Sequence, residues 1–126
     1  MAELPPKKIL AVDDEKQVLD YLSHMLTREG YIVSIAVNGK EAISLATEQK
    51  PDLIILDIVL PDIDGGDVAS LLAKNPVTAQ IPIIFLTGII KKEEEKTSAK
   101  TGKHYVVAKP VTREKLLEMI KRALPD

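Results

Sequence analysis

Residues 52–65 read DLIILDIVLPDIDG, and the aliphatic run Leu53-Ile54-Ile55-Leu56 inside that stretch decides the fold. A strand with one wet face alternates apolar and polar side chains, because its period is two. An unbroken aliphatic run reads instead as a strand covered on both faces. Ile9-Leu10-Ala11-Val12, Ile83-Ile84-Phe85-Leu86 and Tyr105-Val106-Val107-Ala108 are continuous in the same way, and Ile32 to Ala36 adds a fifth apolar run.

Amphipathic segments separate these runs. Val18, Leu19, Leu22, Met25 and Leu26 share one helical stripe, followed by Gly30 as a C-cap. Ala42, Ile43 and Ala46 mark a second helix after the Asn38-Gly39 turn, and Val68, Ala69, Leu71 and Leu72 a third. Leu116, Leu117, Ile120, Ala123 and Leu124 mark a last one, with Thr112 as its N-cap. Strand-helix alternation of this kind predicts an α/β fold with a parallel sheet and helices on both faces. The alternation also requires a helix over residues 91–100, KKEEEKTSAK, whose one apolar residue is Ala99. Such a charge run reads as a solvated helical face; the sharper reading is a marginal helix whose order depends on conditions.

With 126 residues the chain has room for one domain, and its 45% hydrophobic and 29% charged residues exclude a disordered tail or a membrane protein. Residues 1–6 are expected to form a flexible extension, residues 7–124 the domain and residues 125–126 a tail. A net charge of −2 argues against nucleic-acid binding. The absence of cysteine excludes disulfides and thiolate chemistry. MAELPPKK lacks the apolar run of a signal peptide, which points to the cytoplasm. Three Tyr, one Phe and no Trp require an aliphatic core and leave few platforms for stacking a base or flavin.

The strand ends carry the chemistry, since ligands of open α/β sheets bind beyond the carboxyl ends of the strands. The first run leads into Asp13 and Asp14, the third into Asp57, the fourth into Thr87 and the fifth into Lys109. The second leads only to Val37 and Asn38, as suits an edge strand. Three carboxylates brought together repel unless a cation or protonation relieves them. An all-oxygen set with room for water suits Mg²⁺. A carboxylate beside Mg²⁺ is also a competent nucleophile toward phosphorus, and a hydroxyl and an ammonium suit the remaining phosphoryl oxygens. Alone, Lys109 reads as one half of a surface ion pair and Thr87 as a cap.

The residues together resemble the receiver domain of two-component response regulators, in its chemotaxis-regulator-like form. The likeness spans Lys7 to Leu124 and is carried by ILAVDDE, DLIILDIVLPDIDG, IIFLTG and VVAKP, with the separations of Asp57, Thr87 and Lys109 also matching. It implies a flavodoxin-like three-layer (βα)5 fold with strand order 2-1-3-4-5. It implies Asp57 as the phosphoacceptor, Thr87 and Lys109 on the phosphoryl group, and Mg²⁺ held by Asp13, Asp14, Asp57 and the backbone carbonyl of Val59. It further implies a cis Lys109-Pro110 bond. The donor is then a phosphohistidine on a sensor kinase or phosphotransfer protein, with His24 and His104 read as ordinary surface residues. The domain is expected to be a signalling module and not an enzyme, with no membrane or direct nucleic-acid contact. Its output is expected through the last strand and the helices flanking it, including a phosphorylation-dependent dimer.

The sequence departs from that family at the switch position, where Val106 replaces the usual aromatic and Tyr105 lies one residue early. A bulge would be needed to put Tyr105 in its place. Val59 and Ile89 line the family's route of water attack and are apolar, so a long-lived phosphorylated form is expected. Asp62, Asp64 and Asp67 lack EF-hand spacing and read as loop and helix-start residues near the third helix. A flavin-binding domain is disfavoured by Asp13-Asp14-Glu15 where an anion-binding loop belongs, and an aspartate-nucleophile phosphohydrolase by adjacent aspartates in place of D-x-D. A phosphorelay intermediate and a receiver excised from a longer regulator or hybrid kinase stay open.

Overall fold

The computed structural model describes residues 5–88, 104–109 and 111–124. Five strands, β1 (Lys8–Val12), β2 (Ile32–Ala36), β3 (Leu53–Leu56), β4 (Ile83–Thr87) and β5 (His104–Ala108), form one parallel sheet in the order β2-β1-β3-β4-β5. Four helices lie among the described residues: α1 (Lys16–Arg28), α2 (Gly39–Gln49), α3 (Gly65–Lys74) and α4 (Arg113–Ala123). The helix expected over 91–100, Ile89 and the Lys109-Pro110 bond lie outside the described residues.

The unbroken apolar runs are explained by two cores. Ile9, Ala11, Leu53, Ile55, Ile84 and Leu86 join residues of α1 and α4 on one face of the sheet. Leu10, Val12, Ile54, Leu56 and Ile83 join residues of α2 and α3 on the other. Each fully buried Leu or Ile contributes roughly 1.5–3 kcal/mol, against about 1 kcal/mol for a helix cap. Burial therefore holds the layers together, and caps decide where helices begin and end.

Those ends follow local chemistry. Gly30, at φ +97°, closes α1 in a Schellman motif: its amide donates to Thr27 O and that of Tyr31 to Leu26 O. The second helix begins at Gly39, inside the predicted turn, with Asn38 Oδ1 accepting from the Glu41 amide. Thr112 caps α4 as expected, accepting from the Lys115 amide at 3.1 Å.

Three expectations change. Leu71, which the apolar stripe of α3 predicts to be buried, is 46% exposed, whereas Met119 of α4, outside the stripe read from the sequence, is buried. His104 opens β5 instead of preceding it. Asp62 serves α2 and not α3: its carboxylate accepts from the amides of Gly39 at 2.7 Å and Lys40 at 3.0 Å. The cap of α3 is Asp64, whose Oδ1 accepts from the Gly66 amide.

Candidate functional site

Parallel pairing brings the ends of β1 and β3 side by side, with Val12 opposite Leu56. The next residues, Asp13 and Asp57, therefore leave adjacent central strands at one edge. Their backbones continue the ladder for one further step, the Asp13 amide donating to Ala36 O and the Asp57 amide to Val12 O. Both carboxylates are buried, while Asp14 and Glu15 are exposed. One oxygen from each of Asp13, Asp14, Glu15 and Asp57 lies within 4.8 Å of the others.

Each buried carboxylate is satisfied in the same way. One oxygen takes a backbone amide: Asp13 Oδ1 from Glu15 at 2.9 Å, Asp57 Oδ1 from Val59 at 3.2 Å. The other takes Lys109 Nζ, at 2.9 Å from Asp13 Oδ2 and 3.1 Å from Asp57 Oδ2. Lys109 also reaches Glu15 Oε1 at 3.2 Å. The simple surface ion pair is thus replaced by a largely buried ammonium shared among three acids.

The electrostatics follow. Burial pushes the Asp13 carboxyl above its ordinary pKa, against the pull of the Lys109 and Glu15 hydrogen bonds, and the Asp57 charge adds to the rise. Burial alone would lower the Lys109 pKa, but its hydrogen bonds to Asp13, Asp57 and Glu15 outweigh that and hold it well above the ordinary lysine value. Four carboxylates against one ammonium leave the cluster with an excess of negative charge, carried entirely on oxygen. That donor set fits a hard divalent cation.

Residues 9–121 match the response regulator receiver domain family. The chain belongs to this family. Among curated proteins the receiver domain is similar to the "Uncharacterized 14.6 kDa protein in sodA1 3'region" of Leptolyngbya boryana, at 32% identity over 97% of this chain and 93% of that protein. Among solved structures it is similar to chemotaxis protein CheY4 of Vibrio cholerae, at 30% identity and TM-score 0.83, covering 94% of this chain and 98% of that one. It is also similar to the signal receiver domain of a signal transduction histidine kinase from Syntrophus aciditrophicus, at 31% identity, TM-score 0.81, 94% of this chain and 90% of that one.

The remaining residues of the receiver domain fall as follows. Thr87 closes β4, opposite Ala108. Val59 is 53% exposed beside Asp57. The β4-β5 register runs one to one from Ile83↔His104 to Thr87↔Ala108, so no inserted residue turns Tyr105 onto the face of Val106. Tyr105 packs instead against the core cluster on the sheet face that α1 and α4 cover, its hydroxyl 3.5 Å from Arg122 O, while Val106 pairs with Phe85. His24 is exposed on α1.

Two contributors were missed. Glu15 is the third partner of Lys109, signalled in sequence only by its place after Asp13-Asp14. Gly65 starts α3 pressed against the β3 end: a Cβ there would stand 2.3 Å from Asp57 O and 2.7 Å from Ile58 Cα. Its amide donates to Ile58 O at 2.7 Å, which closes the loop that carries Val59.

Proposed function

We propose that this receiver domain accepts a phosphoryl group on Asp57 from a phosphohistidine of a partner kinase or phosphotransfer protein, and thereby changes its affinity for a downstream protein. The observation that carries this reading is Lys109 Nζ shared between the buried carboxylates of Asp13 and Asp57 at the ends of the adjacent interior strands β1 and β3. In the transfer, an Asp57 carboxylate oxygen bonds to phosphorus as the donor's P–N bond breaks. The imidazole leaves with the electron pair and keeps or regains a proton from water. Lys109 and Thr87 hold phosphoryl oxygens, and Lys109 is suited to this because it stays charged.

Asp13, Asp14, Asp57 and the Val59 carbonyl would hold Mg²⁺. When bound, that ion offsets charge on the phosphoryl oxygens. The chain's own residues fix where this happens: the Asp13 and Asp57 side chains are each oriented by a backbone amide before any ligand arrives. Preset groups of this kind need little reorganisation during the transfer.

The domain acts as a signalling module that assists only its own phosphorylation and dephosphorylation, in the cytoplasm. Among the described residues no helix is long and apolar enough to cross a membrane. A new anion at the strand ends would bias a two-state equilibrium read through β5 and α4. The likeness to a receiver within a histidine kinase supports a second reading, a relay intermediate or part of a longer regulator.

Incubation with Mg²⁺ and a small acyl phosphate, followed by intact mass measurement, tests the proposal. One phosphoryl adduct on wild type and none on Asp57→Asn is expected. No adduct on wild type, or an equal adduct on Asp57→Asn, refutes it.

A further inference from the structure

Glu15 stands at the N-cap of α1. Short side chains are favoured there because they reach back to the free amides of the first turn. The Glu15 carboxylate makes no such bond. It reaches instead to Lys109 Nζ, at 3.2 Å and 94 residues away in the chain. The three acids around that ammonium differ sharply in environment. The Asp13 and Asp57 side chains are 2% and 7% exposed, whereas that of Glu15 is 63% exposed. Attraction in the buried part of the cluster is less screened, so Asp13 and Asp57 draw the ammonium inward and Glu15 draws it toward solvent.

We propose that Glu15 is a positioning residue for Lys109, holding its ammonium toward the solvent side of the cluster, where a phosphoryl group arrives. This rests on Asp57 being the phosphoacceptor. Without Glu15 the ammonium settles on Asp13 and Asp57 alone, and an incoming phosphoryl group has to draw it away from both. The α1 N-terminus gives up a capping bond for this arrangement, which sets Glu15 apart from an ordinary helix-start acid that favours only the helix dipole.

The test is the rate of phosphoryl uptake from a small acyl phosphate with Mg²⁺. The Asp57 oxygen–phosphorus bond forms as the donor's bond from phosphorus to the acyl oxygen breaks, and the carboxylate leaves. Glu15→Gln is expected to slow uptake about two- to fivefold, the factor an exposed ion pair supports. Simple loss of charge has the opposite sign, since one negative charge fewer beside an incoming anion speeds its approach. Glu15→Ser restores a capping side chain to α1 and separates helix stability from the positioning of Lys109. It is expected to melt above Glu15→Gln yet remain equally slow. In protein free of divalent cations, the Lys109 13Cε resonance is expected to shift in both variants. Unchanged or faster uptake in Glu15→Gln, recovery in Glu15→Ser, or an unmoved Lys109 resonance overturns the proposal. Failure of the Asp57 reading is separately visible, as a wild-type protein that takes up no phosphoryl group.

Discussion

Gly65→Ala is expected to damage both the fold and the site, while Gly66→Ala, one residue later, leaves them intact. A methyl group on Gly65 would sit 2.3 Å from Asp57 O, about 1 Å inside ordinary contact, with Ile58 Cα at 2.7 Å. Both obstacles are backbone and cannot rotate away, so the loop between β3 and α3 has to move. Overpacking of this kind costs roughly 1–3 kcal/mol. Moving the loop also breaks the 2.7 Å bond from the Gly65 amide to Ile58 O, worth about 1 kcal/mol. The sum is about 2–4 kcal/mol, a fall in melting temperature of the order of 10 °C for a domain of this size. A Cβ on Gly66 meets only Asp64 Oδ1, at 3.3 Å, a side-chain atom able to give way. Alanine there also gains up to about 1 kcal/mol of helix propensity. Thermal melts of both variants, with Mg²⁺ titrations followed by amide NMR, measure the contrast. Gly65→Ala is expected to lose Mg²⁺ affinity because the displaced loop carries Val59 away from Asp57. A Gly65→Ala protein that melts with wild type, or two variants falling equally, would refute the close approach as the constraint.

Asp62 ties the loop after β3 to the start of α2, and the Gly39 amide foremost, with Lys40, holds its carboxyl below its ordinary pKa. A pKa lowered by folding adds stability above the unfolded value, lost as pH falls through the folded one. Urea midpoints are therefore expected to be higher for wild type than for Asp62→Ala near neutrality and to converge in acid; a gap independent of pH contradicts this. Val59, exposed beside Asp57 and without a polar atom to orient water, is expected to prolong the phosphorylated form. Val59→Asn should release phosphate faster, and equal half-lives of the two phosphorylated proteins count against the shielding.

Much of the architecture is legible in short stretches of chain. The run Leu53-Ile54-Ile55-Leu56 announces a strand buried on both faces, because alternate side chains enter opposite cores and both cores demand apolar groups. The residue after each such strand is equally local, and it places Asp13, Asp57, Thr87 and Lys109 at one edge once the strands are parallel. Helix stripes were less decisive. An amphipathic face is wider than its contact, so Leu71 of α3 is left exposed and Met119 of α4, outside the stripe read from the sequence, is buried.

Tertiary structure decided which charges meet. Lys109 finds Asp13, Asp57 and Glu15 across separations of 52 to 96 residues, and Asp62 caps a helix that begins 23 residues before it. Nearer partners lay along the chain: α3 for Asp62, and the α1 amides for Glu15. The sheet order overrode both, because it fixes strand ends a few ångströms apart regardless of their distance along the chain. The sequence by itself determined that acids, a hydroxyl and an amine lie on one edge. Only the packed sheet decided that one ammonium is shared among three carboxylates, and that glycine is required where α3 begins.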